Sequence, residues 1–431
     1  MSGTLDTALA NASGATTAVI AGSGSSSPTA VGTSAPSAID GLVRGALLFI
    51  VADSLFGSFG TAFVFSQCGL RGVLAFMIGW QLVSTAAYVV NVYQFKKGGT
   101  YAARTYRNGV AGMMAAVLTT GVLTTFLHRA SPVGVPVWLP VVLLGVLGGG
   151  ARGRAFSART WLELNLTGGS QRQGYLSRTE ALGTLLRLGI PLLAAAVLAW
   201  AHNAFGLFFV MAGGAGFVCV LVFSQAGTVA PAAIPAQPWK LLGNKSYWKT
   251  APFYVVDGAG HALRTGLFVS GAMAVIGSAS KYGLVDTGAS LCAAGLLWWQ
   301  SRHPASAPSL KTLRRSLALM GFAWLALFAA LRQPLLLPLF VAAYALGNPL
   351  ITVVKSGLTL KGLAQAGAAP QDNLIARMML LTLGRVSALS LALAVTYAMA
   401  TPTAQLVGSC LLAAAMLPLD YIYSRRLSRG A

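Results

Sequence analysis

Twelve times this chain runs for about 20 residues with scarcely an ionisable side chain, each time far enough to cross a hydrocarbon core of about 30 Å. The runs fall at 42–66, 72–94, 109–128, 135–158, 176–200 and 203–225, then at 249–277, 282–300, 313–331, 333–354, 375–399 and 403–423. A helix satisfies its backbone within one segment, which lipid demands. The pattern therefore predicts an all-α membrane protein of twelve transmembrane helices. Charged residues make up 9% of the 431, against about 25% in a soluble domain. That excludes a soluble enzyme and a single-anchor receptor with a large folded ectodomain.

The remaining segments are short. Residues 1–40 are Ala, Ser, Thr and Gly with Pro28 and Pro36, lack a basic start and an apolar h-region, and read as a disordered tail rather than a secretory signal. Residues 226–248 carry Pro and Lys and read as a cytoplasmic linker between 41–225 and 249–424; a basic tail, 425–431, ends the chain. The net charge of +21 would suggest nucleic acid in a soluble protein. Here its placement explains it. With both termini cytoplasmic, only Arg71, Arg129, Lys281 and Arg332 fall in outer loops, while Lys96, Lys97, Arg104, Arg107, Lys311, Arg314, Arg315 and the C-terminal arginines fall inside. Loop after loop, this is the positive-inside pattern, and no nucleic-acid partner is needed.

The two halves repeat faintly. Span 1 reads LLFIVADSLFGSFGTAFVF and span 7 reads APFYVVDGAGHALRTGLFV, each with an Asp after a bulky apolar run, Asp53 and Asp257. Spans 5 and 11 each open on an Arg, Arg178 and Arg377, with a second Arg nine and eight residues deeper, Arg187 and Arg385. Two six-helix bundles in one orientation are what a parallel pseudo-repeat predicts. At about 1.5 Å per residue, Asp53 lies about 16 Å into its span and Asp257 about 12 Å, with Arg187 and Arg385 roughly 16 Å from the inner edge. Four ionised groups facing lipid near the midplane would cost on the order of 10–14 kcal/mol. They must meet one another or a wet cavity, either as fixed ties between helices or as proton and substrate sites.

Asp257, His261 and Arg264 are spaced i, i+4, i+7 and share a helical face, a set that could exchange a proton or simply pack. Glu163 and Glu180 lie near the inner mouth among Arg159, Arg178 and Arg377, where they could close a cytoplasmic gate or only balance charge. Gly145, Gly149 and Gly153 make a small face on span 4 that lets helices approach. Cys68, Cys219, Cys292 and Cys410 are far apart, His is rare, and no metal or cofactor is expected. The Gly148–Gly153 run lacks the Lys-Ser/Thr of a phosphate loop, so ATP is not the energy source.

Twelve spans, both ends inside, a six-plus-six repeat and a central linker together resemble the major facilitator superfamily over about 45–425. The segment ARTWLELNLTGGSQRQGYLSRTEALGTLLRLGIPLLA looks like that family's span 4–span 5 region. Gly189-Ile190-Pro191 approximates the Gly-Pro of its antiporter motif, which favours export. The inner loop KKGGTYAARTYRNG keeps Gly98, Gly99, Arg104 and Arg107 but has no Asp. The resemblance implies alternating access about a midplane site, with proton energy. In that reading Asp53, Asp257 and His261 couple protons. Arg187, Arg264 and Arg385 pair with them or hold an anionic group of a small organic solute, and Glu163, Arg178, Glu180 and Arg377 form the gate. The expectation is a monomeric transporter of the inner (plasma) membrane without a cofactor. The missing loop acid leaves open a non-transporting assembly partner or sensor on the same scaffold. A lipid-handling enzyme would need more than His261 beside Asp257.

Overall fold

The computed structural model describes residues 35–95, 99–130, 138–166, 169–223, 241, 243, 245–302, 309–365 and 370–429. The predicted tail lies almost wholly outside them, and so does most of the predicted linker. Every long element described is a helix. α1 is Ala35–Ser54, α2 Gly60–Gln94, α3 Gly99–Ala130, α4 Trp138–Leu143, α5 Gly149–Leu166, α6 Gly169–Trp200 and α7 Phe205–Phe223. The second half has α8 Lys245–Ile276, α9 Ala279–Arg302, α10 Leu310–Arg332, α11 Leu337–Gln365, α12 Pro370–Ala398 and α13 Pro402–Arg429.

Ten helical segments among the described residues are long and apolar enough to cross a membrane. The first, Ile39–Gln94, has 56 residues, about 84 Å of helix at 1.5 Å per residue and far more than one bilayer. It breaks at Gly69, whose φ of 63° and ψ of −163° are non-helical. An added Cβ there would meet nothing within 4 Å, so the backbone conformation, not space, calls for glycine. α9 is long enough at 24 residues but carries Lys281, Asp286 and Arg302, and is not one of the ten. Large apolar side chains such as Leu185, Leu193 and Leu325 stand on the outer surface, as lipid-facing helices require.

The helices before residue 224 pack chiefly on one another, as do those after 244, and the two sets meet mainly where α6 packs on α9 and α2 on α12. The small face of α5 works as its spacing suggests: a Cβ on Gly149 or Gly153 would strike the α2 backbone at Trp80 or Ser84. Among the described residues two π-helical turns interrupt the ladder, Leu55–Phe59 after α1 and Leu144–Gly148 before α5. Such turns displace the side chains beside them, and here they flank the two helices that carry Asp53 and Arg152.

Candidate functional site

A cavity of about 340 Å³ lies between the two sets of helices, lined from both. Asp53 of α1, Arg152 of α5 and Arg187 of α6 reach it from one side; His261 of α8, Asp286 of α9 and Arg385 of α12 reach it from the other. The walls between the charges are Met77, Trp80, Val269 and short hydroxyl side chains.

Within it, Arg152 Nε donates to Asp53 Oδ1 at 2.5 Å and Nη2 to Oδ2 at 3.5 Å. The pair is only partly covered, 19% exposed for the arginine and 35% for the aspartate, and the guanidinium lies 5.2 Å from the Trp80 ring centre. Arg385 Nη1 donates to Gln81 Oε1 across the halves at 3.0 Å, while its Nε is buried without a partner. Beside it, the Thr85 and Thr382 hydroxyls are 2.6 Å apart. His261 is open to the cavity. Asp286 makes no hydrogen bond or ion pair with any of the described residues.

Three of the four mid-depth charges read from the sequence thus share this cavity, together with His261. The fourth does not. Asp257 is held by Lys355 Nζ at 2.9 Å, and Lys355 also reaches Asp420 Oδ1 at 2.6 Å. Arg264 Nη1 donates to the other Asp420 oxygen at 3.2 Å, and its Nε donates to Asn348 Oδ1 at 3.2 Å. Lys355, Asp420 and Arg264 are each at most 4% exposed. Two acids and two bases neutralise one another inside α8, α11 and α13. Asp257, His261 and Arg264, expected on one face, therefore divide: the histidine opens on the cavity and the other two belong to the sealed cluster.

The sequence missed both true partners. Arg152 and Lys355 look like charges at the inner ends of spans 4 and 10, and Asp420 like an interfacial residue. One signal could have found the bases: in the predicted repeat spans 4 and 10 correspond, as do spans 1 and 7 that carry Asp53 and Asp257.

At the end predicted to be the inner one, Arg159 Nε donates to Glu163 at 2.7 Å and so does the Tyr175 hydroxyl. Burial and the Glu163 carboxylate push the Tyr175 phenol above its ordinary range. Arg178 Nη1 donates to Asp40 at 2.5 Å on an exposed surface. These ties join α1, α5 and α6 within the first half, so they do not make the expected gate between halves. The side chain of Glu180 lies outside the described residues, and Arg377 is half-buried with its Nε unpartnered. The halves meet there through Tyr88, Ile375 and Met378. At the opposite end the contact is polar: Arg71 donates to the Thr396 carbonyl at 2.8 Å and stacks on Tyr397, and Asn203 accepts from Ser278 and Ser280. No group of three or more His, Cys, Asp or Glu among the described residues could hold a metal.

No family model matches the chain, and no curated protein matches it either. Solved structures do. A peptide transporter of the POT type in complex with sulfate is 14% identical, with a TM-score of 0.62 over 91% of this chain and 95% of that one. The nucleoside transporter NupG is 10% identical, with a TM-score of 0.60 over 91% and 98%. A bacterial homologue of the human lysosomal transporter Spinster, inward-facing and unoccupied, is 11% identical, with a TM-score of 0.53 over 93% and 99%. At such identities the likeness concerns the fold alone: this chain shares the helical fold of these solved transporters.

Proposed function

We propose that the chain is a secondary transporter of the major facilitator superfamily, not an enzyme, and that it carries a small organic solute by alternating access. The observation behind this is the charged cavity lined by both halves. Twelve crossings in two six-helix bundles follow if Ile39–Gln94 crosses twice about Gly69 and α9 crosses once; at about 1.5 Å per residue, the 24 residues of α9 give roughly 36 Å. The basic inner loops favour the inner membrane with both termini cytoplasmic, and nothing in the reading needs a second copy or a cofactor.

In this reading Asp53 couples transport to protons. Its carboxylate is close to Arg152 yet reachable from the cavity, so protonation would release the guanidinium, and deprotonation would recapture it. His261 is a second proton carrier on the opposite wall. Arg187 and Arg385 hold the anionic end of the cargo. Asp257 and Arg264 serve instead as the tie that keeps α8, α11 and α13 together. The Gly-Ile-Pro of α6 favours export.

Uptake of small solutes into proteoliposomes under an imposed pH gradient tests the proposal. Accumulation that follows the gradient and falls at least tenfold in Asp53→Asn is expected. Gradient-independent flux, or full coupled flux in that variant, would rule out Asp53 as the coupling site.

A further inference from the structure

The charges of the cavity do not all cancel within the protein. Asp53 and Arg152 satisfy each other. Of the other charged groups in the lining, two bear on what the cavity would hold. Arg385 gives one donor to Gln81 but keeps a buried Nε with no acceptor. Asp286 has no cation or hydrogen-bond donor among the described residues. A charge at such depth is costly unless something neutralises it, and so is a buried donor left without an acceptor.

Their depths differ. Asp286 is seven residues from the outer start of α9 at Ala279, about 10 Å in at 1.5 Å per residue. Arg385 is thirteen residues from the outer end of α12 at Ala398, about 20 Å in. The two groups therefore sit at different levels of one cavity, and apolar Met77, Trp80 and Val269 lie on its walls with them.

From this we infer that the cargo is a small zwitterion whose two charges are several bonds apart. Its carboxylate sits on Arg385, its ammonium on Asp286, and its methylene stem lies along the apolar wall. The inference rests on the transporter reading and adds the chemical class of the solute. A cavity of about 340 Å³ is at the small end of the roughly 300–1,000 Å³ found for ligand pockets. With carbon–carbon bonds of about 1.5 Å and the reach of both side chains, a stem of about five carbons spans the gap. A compact α-amino acid would meet one group and leave the other bare.

The test uses 5-aminopentanoate, pentanoate and pentylamine against full-length protein in proteoliposomes. Its four native cysteines are replaced and Ser290→Cys, one turn beyond Asp286, serves as a reporter. Protection of that thiol from a maleimide gives the affinity. The zwitterion should protect at least about tenfold better than either single-charge analogue, in line with the loss on truncating one side of a charged contact. Asp286→Asn should abolish that preference and leave pentanoate protection as it was; Arg385→Gln should weaken both acids. Asp286→Glu, which keeps the charge on a longer stem, should shift the optimum to 4-aminobutanoate, a gain that a misfolded protein could not show. Pentanoate or pentylamine protecting as well as the zwitterion would overturn the inference. So would no protection by any of these solutes when the reporter is reached from both faces of the membrane, and that result would leave the transporter reading standing. A reporter reached from one face only would count against transport itself, whatever it binds.

Discussion

The two halves of the molecule each set an aspartate against a base, Asp53 of α1 against Arg152 of α5 and Asp257 of α8 against Lys355 of α11, and then treat the pair differently. Asp53 and Arg152 stand at the cavity wall with the carboxylate 35% exposed. Asp257 and Lys355 are 16% and 4% exposed, and the chain of charge continues to Asp420 and Arg264 without reaching the cavity. A pair open to water and cargo can be exchanged at small cost. A closed cluster of four cannot, because removing any one member strands the others in a medium that solvates them poorly. On the proposed reading, the first half supplies a movable contact and the second a fixed support.

Removing the centre of the closed cluster should have the largest effect. Asp420→Asn leaves Lys355 and Arg264 buried against one acid, and should destabilise the protein by about 3–5 kcal/mol, read as lost thermal stability in detergent. Lys355→Met added to it should recover part of that loss, because the charges are then even again. A change under about 1 kcal/mol for Asp420→Asn would break the contrast between the halves.

Next in size is Gly153→Leu. A side chain there would meet the α2 backbone at Ser84, and overpacking of this kind costs about 1–3 kcal/mol. Because Arg152 is the neighbouring residue, the same change should pull the guanidinium from Asp53 and lower flux as well as stability. Asp53→Asn itself should cost no more than about 1 kcal/mol, as partly exposed pairs do, while its effect on coupled flux is large. Thermal melts and flux measured on the same preparation separate the two. Arg178→Ala is the smallest: its pair with Asp40 is about half exposed, and a loss of about 0–0.5 kcal/mol with unchanged flux is expected.

Much of this is legible in the sequence. The apolar runs carry the all-helical membrane fold, because lipid leaves so few alternatives, and counting residues along them brings Asp53, Asp257, Arg187 and Arg385 to similar depths. Lys355 and Asp420 are misplaced by that count for a physical reason. A helix does not stop where its apolar run stops: α11 continues to Gln365 and α13 to Arg429, so both residues are flanked by further helical turns. Arg152 sits in a continuous helix that reaches Leu166 and passes for an inner-end charge by the same reasoning. Asp286 is close enough to the outer edge of its run to be solvated there, yet its turn of α9 faces the cavity. Linear depth says how far in a residue lies but not which way its helix is turned. For Asp257 that second quantity decides between the cavity and the cluster.

The most direct measurement is two-sided labelling of Ser54→Cys, next to Asp53 in the cavity wall, in a chain without its native cysteines. A membrane-impermeant maleimide applied to the outer face of oriented vesicles should modify it, and the same reagent applied only to the inner face should modify it too, each blocked by prior reaction from the other. Modification from a single face under every condition of pH and added solute would mean that the cavity never changes the side on which it opens, and would contradict alternating access.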